Sequence, residues 1–129
     1  MAQSAPPARK AVLVVEDEPI QRMMAVDMVE DAGFEAVEAY SAAEAIQVLE
    51  TRLDIRVVFT DIDMPHGIDG MRLAATIRDR WPPIEIIITS GKMWGRSLKL
   101  PDRAVFFPKP YRRDKVIAEM ERMVADVTS

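Results

Sequence analysis

The sequence predicts an α/β fold, a parallel sheet packed between helices. Two observations carry this. Short, continuous, β-branched runs at residues 11–15, 57–60 and 84–89 suit strands buried on both faces. Between the strands lie longer stretches with apolar residues at helical spacing, so that strand and helix alternate five times. That alternation implies right-handed crossovers onto one sheet. At 129 residues the chain can bury one core and make about one domain.

Residues 1–9, with Ser4, Pro6 and Pro7, read as a flexible tail, and residues 10–129 as the domain. The run 11–15 is the first strand. Glu16-Asp17-Glu18 ends it, and Pro19 fits the first turn of a helix. Over 19–32, Ile20, Met23, Met24, Met28 and Val29 recur near helical spacing, which places most of the methionines in the core. The other side of that helix is left for a partner. Gly33 is a natural helix stop. Residues 34–40 alternate weakly, as a strand nearer an edge would. Ser41-Ala42-Ala43-Glu44 is a capping box, and Ala45, Ile46, Val48 and Leu49 continue its helix.

The third strand, 57–60, ends in Asp61. A Pro/Gly-rich loop, 64–70, leads to a helix carrying Leu73, Ala74, Ile77 and Trp81, which Pro82-Pro83 stops. Residues 84–89 are the fourth strand. In 91–100, Gly91 and Gly95 weaken any helix, and a short or irregular one is expected. Residues 104–107 are the fifth strand. After Pro108-Lys109-Pro110, a last helix shows Val116, Met120, Met123 or Val124, and Val127 on one face.

Composition limits the chemistry. With 17 Lys+Arg against 21 Asp+Glu the net charge is −4, which argues against unaided nucleic-acid binding and against docking on anionic membranes. No apolar run reaches the ~20 residues of a membrane span, and the first ten residues do not form a secretory signal. Without Cys and with a single His, thiol catalysis, disulfides and multi-His zinc sites are excluded. What remains is carboxylate, hydroxyl, Lys and Arg chemistry.

In parallel sheets the carboxyl ends of the strands form the binding crevice. Here the first strand ends in Glu16-Asp17, the third in Asp61, the fourth in Thr89-Ser90 and the fifth in Lys109. Taken singly, each has a plain reading: a solvated acidic loop, a turn residue, a strand threonine, a loop lysine. Their joint placement at four strand ends singles them out. Clustered carboxylates repel unless a cation neutralises them, and Mg²⁺ is the hard cation that oxygen ligands suit. A carboxylate beside such a cation can attack phosphorus. Lys109 and the Thr89 hydroxyl then supply counter-charge and a hydrogen bond to the transferring group.

At these residues the chain resembles the receiver domain of two-component response regulators, the CheY-like family. The resemblance is carried by Val14-Val15-Glu16-Asp17-Glu18-Pro19, Thr60-Asp61-Ile62-Asp63-Met64-Pro65, Asp69-Gly70, Ile88-Thr89-Ser90 and Phe107-Pro108-Lys109-Pro110, from about residue 10 to 127. It implies a doubly wound, flavodoxin-like sheet in order 2-1-3-4-5 flanked by five helices. It implies that Asp61 accepts a phosphoryl group from a histidine kinase or histidine phosphotransferase. Asp17 and Asp61 would hold Mg²⁺ (or Mn²⁺) through side chains, Asp63 through its backbone carbonyl, and Glu16 mostly through water. Lys109 would pair with a phosphoryl oxygen, Thr89 would move toward it, and Phe106 would change rotamer as Thr89 moves. The Lys109–Pro110 bond would be cis.

The resemblance further implies a cytoplasmic signalling module, not an enzyme on external substrates, which catalyses only its own phosphorylation and dephosphorylation. The kinase would meet the first helix and the loop after the fifth strand. The downstream protein is unspecified, and the face of the fourth and fifth helices offers a dimer contact. The receiver would fill the chain, with no output domain expected.

Departures from the family pattern are a loop 65–70 that is one residue longer than usual and a second carboxylate, Asp63, beside the pocket, suited to tuning phosphoryl lifetime. Trp94 is a core residue or a partner anchor, and His66 a plain loop residue. Two other functions fit some of the residues. One is a phosphorylation-independent adaptor on the same fold. The other follows from Asp61-Ile62-Asp63, which resembles the nucleophile motif of haloacid-dehalogenase-like phosphatases. That motif belongs on a first strand, whereas here it sits on the third, and the chain has no room for a substrate cap.

Overall fold

The computed structural model describes residues 10–63, 70–91 and 99–128, with side chains through Ala125. Strands β1 (Ala11–Val15), β2 (Glu35–Ala39), β3 (Ile55–Asp61), β4 (Glu85–Ser90) and β5 (Ala104–Pro108) form one sheet in the order β2-β1-β3-β4-β5. Every neighbouring pair is parallel. The described helices are α1 (Pro19–Asp31), α2 (Ala42–Thr51), α3 (Gly70–Arg80) and α4 (Arg113–Thr128). The fifth helix expected within 91–100 falls mainly on residues 92–98. Those residues, Trp94 among them, lie outside the described ones, as do the loop residues 64–69 with His66.

Successive strand residues face opposite sides, so the central strands are apolar on both. Leu13, Val58, Ile86 and Ile88 pack with Ala45, Leu49, Leu73 and Ile77 beneath α2 and α3. Val12, Val14, Val57 and Ile87 pack with Met28, Val29, Val116 and Met120 beneath α1 and α4. Removing most of a fully buried chain such as Leu13 or Ile88 costs about 2–5 kcal/mol. β2 holds an edge, as its weak alternation indicated.

Local signals explain the helix ends. Ser41 Oγ accepts from the Glu44 N–H at 3.1 Å, half of the expected capping box. Glu44 reaches back to the Tyr40 N–H at 2.7 Å, one residue earlier than the usual box. Gly33 takes φ +95°, a conformation that favours glycine. At α1 the cap is Glu18, whose carboxylate accepts from the N–H groups of Ile20 and Gln21 at 3.3 and 2.7 Å.

One expectation is overturned on α1. Ile20, Met23 and Met24 are 64%, 67% and 64% exposed, and of the three methionines only Met28 is core. The buried stripe runs through Ala25, Met28 and Val29. At 100° per residue, Met24 falls on its flank, and Ile20 and Met23 on the side away from it. Ala25 supplies the core contact that the larger residues were expected to make.

At the opposite end of the sheet, the Arg78 guanidinium donates to four carbonyls. These are Asp102 at 2.5 Å, Pro82 at 2.6 Å, Ile84 at 2.8 Å and Arg103 at 3.3 Å. It ties α3 to the residues that lead into β4 and β5.

Candidate functional site

Parallel register brings the strand ends together. Asp61 pairs with Thr89 across β3 and β4, and Val15 with Thr60 across β1 and β3. Glu16 follows β1 directly, its N–H donating to Ala39 O at 3.0 Å. The carbonyl of Glu16 accepts from Arg22 Nη1 at 2.9 Å, which fixes the start of the acidic loop against α1. Lys109 follows β5, its N–H donating to Ser90 O at 2.9 Å. The Lys109–Pro110 bond is cis.

Asp61 and Glu16 are buried to 6% exposure, and Asp17 is half-buried beside them. Oxygens from all three carboxylates lie within 4.8 Å of one another. Two are already countered by one cation: Lys109 Nζ stands 3.3 Å from Asp61 Oδ2 and 3.6 Å from Glu16 Oε1. Burial, and secondarily the Asp61 charge, push the Glu16 carboxyl up to about 7 despite the Glu18 N–H that donates to it at 3.0 Å. Three carboxylates with a single ammonium leave negative charge over. All-oxygen donors at this spacing fit a hard divalent cation such as Mg²⁺.

Thr89 is buried and, with Asp61, lines a cavity of about 420 Å³ between α1 and the loop after β5. Glu16, Asp61 and Lys109 line its polar end, and Met28, Phe59 and Tyr111 its apolar end. Tyr111 stands edge-on to Phe59 with centroids 5.8 Å apart. Phe106 is not in this group. It pairs with Ile88 and packs on the α2/α3 side of the sheet, while Thr89 pairs with Phe107.

Asp63 turns its carboxylate toward β4. It accepts from Ser90 Oγ at 3.0 Å and from the Gly91 N–H at 3.1 Å, while its own N–H donates to Asp61 Oδ1 at 3.2 Å. It thus fastens the loop after β3 to the end of β4. One contributor escaped the sequence reading, and another entered it only as part of the Asp69-Gly70 motif. Gln21 accepts from Lys109 Nζ at 2.6 Å across 88 residues, a distance no local pattern reveals. Gly70 packs so close that a Cβ there would stand 2.3 Å from Asp61 O.

The doubly wound sheet thus carries buried carboxylates and a lysine together at its carboxyl edge. Residues 12–121 match the response regulator receiver domain. The chain belongs to that family. The sensor kinase CckA of Brucella abortus is 31% identical over 117 residues, 88% of this chain and 12% of the kinase. This chain therefore spans about an eighth of that relative's length. A response regulator receiver protein from Sinorhizobium medicae superposes with a TM-score of 0.83 at 27% identity, covering 94% of this chain and 98% of that one. The response regulator TrrA of Thermotoga maritima, solved in complex with Mg²⁺-BeF, gives 0.79 at 27% identity, covering 88% and 98%. Among the described residues, no helix is long and apolar enough to cross a membrane.

Proposed function

We propose that this chain receives a phosphoryl group on Asp61 from a phosphohistidine of a histidine kinase or histidine phosphotransferase, and relays that event to a protein partner. The observation that carries the reading is Lys109 Nζ, 3.3 Å from the buried Asp61 carboxylate with Thr89 in register beside it. An oxygen of Asp61 bonds to phosphorus as the P–N bond breaks, and the imidazole leaves with the bonding pair. Lys109 and the Thr89 hydroxyl then hold the phosphoryl oxygens.

Glu16, Asp17, Asp61 and the Asp63 carbonyl are the groups that would hold Mg²⁺ or Mn²⁺. When bound, the ion neutralises the carboxylates and the incoming oxygens. The Mg²⁺-BeF complex of TrrA supports this by similarity. Phe106, in register with Ile88 one residue before Thr89, would change rotamer as Thr89 moves. The residues themselves catalyse gain and loss of the group and act on no external substrate. The site works in the cytoplasm, where its kinase donors carry their phosphohistidines.

The donor docks on α1 and the loop after β5, where Ile20, Met23 and Met24 are exposed and Met24, Pro110 and Tyr111 line one cavity. The test is incubation with acetyl phosphate and Mg²⁺, read by intact mass. One phosphoryl group per chain, absent in Asp61→Asn, is expected. Steady release of phosphate from a small ester over many turnovers would instead mark a phosphatase. Unimpaired signalling by Asp61→Asn in the native host would mark an adaptor.

A further inference from the structure

A lysine ammonium carries three protons, and Lys109 faces three acceptors. These are Gln21 Oε1 at 2.6 Å, Asp61 Oδ2 at 3.3 Å and Glu16 Oε1 at 3.6 Å. The shortest contact is to the neutral amide. Gln21 is exposed at the pocket mouth while Asp61 and Glu16 are buried behind it. Its backbone is held too, because its N–H donates to the Glu18 cap at 2.7 Å. We propose that Gln21 is a positioning residue for phosphoryl transfer: its side-chain carbonyl grips Lys109 from the solvent side and aims the remaining ammonium protons into the pocket.

The proposal rests on the reading of Asp61 as phosphoryl acceptor. A lysine side chain has four rotatable bonds and is costly to hold in one place. Its two carboxylate partners change character during the reaction, since Asp61 becomes an acyl phosphate and Glu16 faces the divalent cation. The amide of Gln21 does neither. It keeps the ammonium in place throughout and adds no charge to compete with the phosphoryl oxygens.

Acetyl phosphate tests this without a docking partner on α1. Asp61 bonds to phosphorus, the P–O bond to acetate breaks, and acetate leaves with the electron pair. Gln21→Met keeps the length of the side chain and removes the acceptor. Its limiting rate of phosphorylation should fall roughly 3- to 10-fold, the loss of one charge-assisted hydrogen bond at an exposed site. The donor concentration at half-saturation should not move. On a Lys109→Met background the same change should have no further effect, because its route runs through the ammonium. Calorimetric binding of beryllofluoride with Mg²⁺ should weaken by a similar factor in Gln21→Met relative to wild type, and no further in the double variant relative to Lys109→Met.

Equal rates and equal beryllofluoride binding in Gln21→Met and wild type would overturn the proposal. So would losses that add to those of Lys109→Met, which would mark a role independent of the lysine. If the wild type takes up no phosphoryl group, the reading of Asp61 falls and this proposal with it. That result is distinct from a wild type that reacts and a variant that reacts equally fast.

Discussion

Glu16 shows how the pocket stores unfavourable charge. Burial lifts its carboxyl from an ordinary 4.5 to about 7 in the folded chain. Between those values the folded state holds a proton that the unfolded state has released. The proton's contribution to stability is therefore complete below about 4.5 and is lost as the pH rises through about 7. Metal-free protein should lose stability to urea over that window, and Glu16→Gln should flatten the loss. Adding Mg²⁺ should restore stability most at the alkaline end, where Glu16 is ionised. A flat wild-type profile without metal would contradict this assignment. At the residue scale the acid pair, Asp61, Thr89 and Lys109 were legible because each ends a strand. Gln21 was not, since its meaning comes only from a lysine 88 positions away.

Among the described glycines, Gly70 at the start of α3 has the closest neighbours. At Gly70 an added methyl would meet Asp61 O at 2.3 Å and Ile62 Cα at 2.8 Å, both backbone atoms that cannot step aside. Gly70→Ala should cost about 2 kcal/mol or more, measurable by urea unfolding. It should also slow phosphorylation more than a distant substitution of equal cost, because the atoms displaced belong to Asp61. The five strands and four described helices followed from β-branched runs, the Ser41–Glu44 pattern, Gly33 and the prolines. The inward face of α1 did not, because a search for large apolar residues passes over Ala25 and is drawn to Met23 and Met24. Those two are exposed for reasons that packing within this chain does not supply.

At the scale of the whole molecule, the proposed kinase-docking face includes those exposed methionines. Met23→Glu puts a charge on an exposed site and disturbs no core contact, so stability should hold to within about 0.5 kcal/mol. Transfer from the cognate kinase should fall about tenfold or more, as for loss of one apolar anchor, while labelling by acetyl phosphate is unchanged. Equal transfer rates with the kinase would remove α1 from the docking face. The opposite rim of the sheet has a different task. Arg78 clasps four carbonyls at the entries to β4 and β5, a single planar cation fastening three segments. Both strands are thus rooted at one end and carry Thr89 and Lys109 at the other. The Arg78 clasp thereby anchors both strands at the rim opposite the one where the proposed chemistry would occur.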